Sequence, residues 1–396
     1  LFYYYRLTIP VNSTKLQEYS RLSMIYKRKI EAEIEKHLFK GKTITLYGPR
    51  RVGKTTLVKD LLQKYPQEGR YLNCDEPDVR QALTEKTSSE LINYLGNHKL
   101  VVIDEAQRVK NIGLTLKLIT DNVPKIQIVA TGSSSFDLSN KIKEPLTGRV
   151  YEFLLYPLST FEITDDQTEI KRLLESRLIY GTYPEIVTNQ EIARETLQNI
   201  YKNYLYKDAL EFQGLKNPEM VEKLLTALAL QVGQEVSYTK LAGLVGIDQK
   251  TITNYIRLLE LAFVIFRISP LSRNLRKEIS KSRKIYFYDL GVRNAVINNF
   301  NPLNMRSDIG QLWENFVIVE RAKRNEILRV SPNKYFWRTW DKQEIDYIEE
   351  EGGTMNTFEI KWNEKVKVKR PKIWTETYPN STWEKIDKEN FINFIK

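Results

Sequence analysis

Cysteine occurs once in the 396-residue chain, at Cys74, and histidine twice, at His37 and His98. One thiol cannot build a disulfide framework or a thiolate zinc site, which fits a reducing, cytoplasmic setting. Neither histidine has a local partner with which to hold zinc or activate a nucleophile, so both read as structural or exposed. Long apolar runs are missing too. No stretch approaches the ~18 uncharged apolar residues that span a bilayer, and no membrane partner is expected. The opening LFYYYRLTIP lacks a basic region, a long apolar core and a small-residue cleavage site, which makes it a poor signal peptide. Internal repeats and low-complexity linkers are also absent.

What is present favours folded domains. Hydrophobic residues make up 41% and aromatic residues 11%, ample for buried cores. A chain of this length is expected to divide into two or three domains. Its 61 Lys and Arg against 50 Asp and Glu leave a net charge of +11. That balance permits a nucleic-acid partner and equally fits a lysine-rich protein with solvated faces. The first half alternates apolar β-like runs at Thr43–Tyr47, Arg70–Cys74, Leu100–Asp104, Ile126–Thr131 and Tyr151–Tyr156 with helical patterns such as Lys54–Lys64 and Ile112–Asp121. Such alternation predicts a parallel sheet covered on both faces. From about residue 165 the pattern turns helical. Residues 1–23, ahead of Met24, read as an upstream extension.

GPRRVGKTT (Gly48, Pro49, Arg50, Arg51, Val52, Gly53, Lys54, Thr55, Thr56) matches G-x-x-x-x-G-K-S/T between a β run and a helix. Gly48 and Gly53 let the backbone curl so that its N–H groups face phosphate oxygens, aided by the positive end of the next helix. Lys54 is expected at the β- and γ-phosphates of ATP, and the Thr55 hydroxyl on Mg²⁺. The buried run KLVVIDEAQ ends in Asp104, expected to hold Mg²⁺, and Glu105, expected to polarise the attacking water. IVATGSSSF supplies Thr131 and Ser133, either of which can sense the γ-phosphate or orient that water. Arg149 reads either as an arginine finger, acting in cis or from a neighbouring subunit of a homo-oligomer, or as a salt-bridge partner.

Together, GPRRVGKTT, VVIDEAQ, TGSSS, LTGRVYEFLLYPLSTFE and GTYPEIV resemble the prokaryotic, often called archaeal-type, AAA ATPases with a C-terminal domain of uncharacterised function. The resemblance covers nearly everything from about residue 24. Family members carry GGYP or GGFP where this chain has Gly181-Thr182-Tyr183-Pro184. It implies an AAA+ α/β fold with a parallel sheet, then a winged helix, then an α+β restriction-endonuclease-like module.

Residues 237–269 read as helix–turn–helix plus wing, with Gly246 and Asp248 at the turn. Ile252, Tyr255, Ile256 and Leu259 face inward at helical spacing, leaving Lys250, Thr253, Asn254 and Arg257 outward. Lys250, Asn254 and Arg257 are thus candidate contacts to double-stranded DNA, with a lid or protein-interaction block as the alternative. Arg273, Arg276, Lys277, Lys281, Arg283 and Lys284 form a basic segment suited to phosphates. In the tail, Asp346 of EIDYI and Glu359 and Lys361 of FEIKW, with helical Glu314 beside them, resemble the PD-(D/E)XK nucleases. Asp346 and Glu359 then bind Mg²⁺, Glu314 assists, and Lys361 orients or deprotonates water. The same residues also suit a nuclease fold that has lost cleavage. The expected organisation is an extension at 1–23, an AAA+ P-loop ATPase domain at 24–165, a helical lid and winged helix at 166–283, and a nuclease-like domain at 284–396. The expected activity is ATP hydrolysis coupled to the DNA-binding and nuclease-like parts. A nucleotide-dependent regulatory switch working through protein contacts is the alternative.

Overall fold

The computed structural model describes residues 26–133, 146–202, 217–271, 283–339 and 343–396. The expected extension lies outside these residues, as do Arg273, Arg276, Lys277 and Lys281.

Five strands, β1 (Thr43–Tyr47), β2 (Gly69–Asn73), β3 (Leu100–Asp104), β4 (Gln127–Gly132) and β5 (Val150–Leu154), form one sheet in the order β2-β3-β4-β1-β5. Every pairing in it is parallel. The three central strands are buried at every position, while the edge strands β2 and β5 are only partly covered. That difference explains the sequence: TITLY, LVVID and QIVATG carry little polarity because helices cover both faces of a parallel sheet. Helices α1 (Lys54–Gln63) and α2 (Ile112–Asn122) lie among these covers. The expected parallel α/β sheet is present, with element ends differing by one or two residues.

Helix α3 (Gln167–Tyr180) starts the helical part. Beyond it, α4 (Tyr238–Val245) and α5 (Gln249–Leu261) form a helix–turn–helix. Gly246 closes α4 in the left-handed region, and the Asp248 carboxylate accepts from the Thr251 N–H to cap α5. The hairpin that follows, β7 (Ile265–Pro270) and β8 (Arg283–Phe287), pairs with short β6 (Glu235–Val236). The hairpin does not stand alone. β7 runs parallel to β9 (Asn333–Arg338), which continues into β10 (Glu344–Glu351), β11 (Thr354–Ile360) and β12 (Thr382–Ile386). The result is one seven-stranded sheet, β12-β11-β10-β9-β7-β8-β6. The expected boundary between residues 283 and 284 falls inside β8, and the sheet runs across it.

Helix α6 (Leu290–Val296) packs on α3, and α7 (Ile309–Ile327) crosses the middle of the molecule. The α7 pattern IGQLWENFVIVERAKRNEI buries residues on all sides, Asn315, Glu320, Lys323 and Asn325 included. Polar groups buried on such a helix need partners inside the protein. They have them. The Asn315 amide exchanges two hydrogen bonds with the Phe287 backbone, of 2.8 and 3.0 Å. Thr182, where relatives of the resembled family carry glycine, gives its hydroxyl oxygen to Lys323 Nζ at 3.0 Å.

Gly291 marks the tightest helix approach. A Cβ there would lie 2.2 Å from the Tyr180 carbonyl oxygen and 2.9 Å from a Leu197 methyl. Gly291→Ala is therefore expected to separate α6 from α3 and lower stability by about 1–3 kcal/mol, as overpacked cores do. Urea unfolding should give a lower midpoint at unchanged slope. An unchanged midpoint would contradict the packing described.

Candidate functional site

The chain leaves β1 at Tyr47 and turns at Gly48 (φ 149°), where a Cβ would sit 2.2 Å from the Leu155 carbonyl oxygen. The loop closes at Gly53 (φ 94°), the first half-turn of α1. Both positions need glycine, the first for space and the second for backbone angle. Lys54 is buried and donates to the Gly48 and Pro49 carbonyls at 2.8 and 2.7 Å, so its ammonium lies inside the loop it follows. Val52 is fully buried, and Thr56 lies on the first turn of α1. The loop is braced from outside by Arg28, which donates to the Val52 and Tyr156 carbonyls and pairs with Glu162 at 3.0 Å. Arg51 pairs with Glu185 at 3.2 Å, linking the loop to the GTYPEIV stretch. Pro49 and Arg50 line a small cavity with Tyr183, Phe263 and Tyr288.

Strand order places β4 between β1 and β3, so residues distant in sequence meet at the C-terminal edge of the sheet. The Thr55 hydroxyl donates to Asp104 Oδ2 at 2.9 Å, and the Thr131 and Tyr71 hydroxyls also donate to this carboxylate. Glu105 follows in the left-handed region (φ 53°), its N–H on Thr131 Oγ1 at 3.2 Å. Gln107 Nε2 bridges the Glu105 carboxylate and Ser133 Oγ, the latter at 3.0 Å. Lys54, Thr55, Asp104, Glu105, Thr131 and Ser133 thus converge on one sheet edge. A hydroxyl and a carboxylate side by side are hard oxygen donors, a set that suits Mg²⁺.

Arg149 is not part of this cluster. Its carbonyl accepts from Thr43 N–H, at the N-terminal end of β1, whereas the phosphate loop follows the C-terminal end. Its side chain pairs with Asp121 at 2.6 Å. The strand length between them rules out the cis arginine-finger reading. Lys284 also departs from expectation. It is buried rather than presented to solvent with the basic segment.

On α5, Ile252, Tyr255, Ile256 and Leu259 are buried while Lys250, Thr253, Asn254 and Arg257 are exposed, as the helical spacing predicts.

The tail brings its four candidates together with residues that the sequence reading missed. Glu314 of α7, Asp346 of β10 and Lys361 after β11 line a cavity of about 440 Å³ with Lys284, Arg338 and Glu344. Glu344, Asp346 and Glu359 have carboxylate oxygens all within 4.8 Å of one another. Lys361 Nζ lies 2.9 Å from Asp346 and 2.7 Å from Glu359. Burial, then the neighbouring Asp346 charge, pushes the Glu359 carboxyl up to about 7. Burial also raises Glu314, more than Lys284 lowers it. For Asp346 burial is outweighed by Lys284 and Lys361, which hold it below the usual carboxylate range. Glu344 was legible in principle, since E-I-D on a strand puts Glu344 and Asp346 on one face. Lys284 and Tyr286, on a strand paired elsewhere, carried no such signal. Nor did Tyr71, Gln107 or Arg28.

Three sequence profiles match. Residues 40–164 match a family described as AAA domain. Residues 171–303 and 309–390 match a domain of unknown function (DUF8612) and a domain of unknown function (DUF4143). An uncharacterized protein of Mycobacterium tuberculosis is 28% identical over 345 residues, 85% of this chain and 74% of that one. Another, of Methanocaldococcus jannaschii, is 28% identical over 407 residues, 92% of this chain and 89% of that one. A solved Thermotoga maritima RuvB Holliday junction branch migration motor is 19% identical and covers 63% of this chain and 89% of that one. Its TM-score is 0.30, too low to bear on function. No helix among the described residues is long and apolar enough to cross a membrane. The AAA-domain profile over residues 40–164 agrees with the parallel sheet and the converging loop and acids there, a fold similar to that of AAA-type P-loop ATPases.

Proposed function

We propose that this protein hydrolyses ATP and couples its nucleotide state to a DNA-acting C-terminal half. The observation that carries the coupling is a single helix. α7 supplies Glu314 to the tail cavity, and farther along it holds the ATPase domain at three points. Glu320 Oε2 accepts from the Thr160 N–H at 2.7 Å, and Lys323 Nζ donates to the Leu158 carbonyl at 2.9 Å. Glu326 Oε1 accepts from the Leu154 N–H at 3.0 Å, one residue before the Leu155 that backs Gly48. A helix of 19 residues is about 28 Å long and stiff, so a shift at the loop reaches the cavity.

In this reading the loop N–H groups and Lys54 bind the β- and γ-phosphates, and Thr55 and Asp104 hold Mg²⁺. When bound, the ion neutralises phosphate charge. Glu105, steadied by Gln107, takes a proton from the attacking water, and Thr131 or Ser133 orients that water. The exposed Lys250, Asn254 and Arg257 of α5, with the hairpin behind them, suit a winged helix on duplex DNA. Glu344, Asp346 and Glu359 suit a divalent cation beside Lys361, as in a PD-(D/E)XK nuclease. One feature favours the alternative of a switch that cuts nothing: both Asp346 oxygens already pair with lysines.

Lys54→Ala should lose nucleotide binding. Glu105→Gln should keep it while turnover falls by ~10²–10⁴-fold, the usual worth of a general base. Fluorescent-nucleotide titration and phosphate release read the two, and a parent without affinity for ATP and magnesium ends the proposal. Duplex DNA should stimulate hydrolysis, less so as salt rises and less in Arg257→Ala. Turnover indifferent to DNA at every salt concentration would instead support protein contacts. With Mg²⁺ or Mn²⁺, plasmid should be nicked by the parent and spared by Lys361→Ala. Plasmid left intact by the parent, with ATP and without, removes the nuclease reading.

A further inference from the structure

The tail cavity contains two positions where carboxylates converge, and they differ. At the first, oxygens of Glu344, Asp346 and Glu359 face one another, and Glu359 Oε2 is buried with no hydrogen-bond partner among the described residues. A buried carboxylate oxygen left unpaired is costly and points to a missing cation or donor. At the second, between Glu314 and Asp346, the space is filled. Lys284 Nζ lies 2.9 Å from Glu314 Oε1 and 3.4 Å from Asp346 Oδ1. Tyr286, two residues along β8 and on the same face, donates to the same Glu314 oxygen at 2.7 Å.

Two-metal phosphoryl sites hold their ions about 3.5–4 Å apart on a shared carboxylate. Asp346 is the residue placed to be shared. Its Oδ2 accepts from Lys361 Nζ at 2.9 Å and the Ile360 N–H at 3.0 Å, while Oδ1 faces Lys284. We propose that Lys284 is a built-in cation at the second position, so that the cavity takes one divalent metal ion and not a pair. The inference rests on the cation-site reading above and deepens it. The Lys284 side chain is only 8% exposed and enters from a strand outside the β9–β12 group, with the Phe336 ring 5.7 Å from its ammonium. It therefore cannot swing out to make room for an ion. A fixed single charge balances Glu314 and Asp346 but leaves Lewis-acid chemistry to the first position alone. Lys284 is thus a positioning residue.

The test counts Mn²⁺ per chain by electron paramagnetic resonance of the free ion. It uses nucleotide-free, full-length protein carrying Asp104→Asn to silence the magnesium ligand of the ATPase site. One ion is expected in this parent, two after Lys284→Ala, and one again after Lys284→Met with Glu314→Gln, which removes the ion pair together. If Lys284→Ala fails to fold, the parent and the paired variant still decide. Two ions in the parent, two in the paired variant, or one in a folded Lys284→Ala protein would overturn the proposal and leave the cation site standing. No bound ion in the parent would overturn both.

Discussion

Helix α7 is buried over most of its surface, and several of its polar residues are satisfied by backbone groups of three other regions. Glu320, Lys323 and Glu326 hold the end of β5 and the segment after it, Asn315 mimics a neighbouring strand for β8, and Glu314 points into the tail cavity. Such a helix cannot rotate or slide without leaving buried donors and acceptors unpaired, at a cost of about 1–3 kcal/mol each. The ATPase sheet, the helix–turn–helix hairpin and the tail sheet are therefore referred to a common axis. Lys323 joins three of these groups, with bonds to Leu158, Thr182 and Glu320. The hydroxyl at Thr182, where the resembled family has glycine, is absorbed into this network.

The nucleotide site obeys a different constraint. Its parts are held by backbone curvature and strand order rather than by side-chain bulk. Gly48 is pressed against Leu155, so the start of the phosphate loop and the strand end held by Glu326 share one contact. Arg28 completes the brace from a segment ahead of the first strand. The carboxylate of Asp104 receives three hydroxyls, from Thr55, Tyr71 and Thr131, which fix its orientation toward the loop.

The tail site is built on charge pairing among largely buried groups. Two lysines and four acids share a space where each would be expensive alone. Glu359 is pushed up to about 7 because burial and Asp346 both oppose its charge, while Asp346 itself stays ionised between Lys284 and Lys361. Continuity of the seven-stranded sheet makes this possible, since it brings β8 of the helix–turn–helix hairpin onto the same layer as β10 and β11.

Local spacing determined a good deal by itself. A glycine-bracketed loop between strand and helix, apolar runs ending in acids, and the inward stripe of α5 all follow from periods of two and 3.6 and from backbone angles, which neighbours in sequence dictate. Glu359 and Lys361 shared a face for the same reason. Only the tertiary structure decided what depends on strand order and on distant partners. Arg149 went to the wrong end of the sheet because its strand pairs in parallel with β1. Lys284 left a basic segment to become a buried counter-charge because β8 joined a sheet begun elsewhere. Sequence spacing records which residues share an element, but contact between elements comes from how apolar faces are buried together, and no local pattern encodes that.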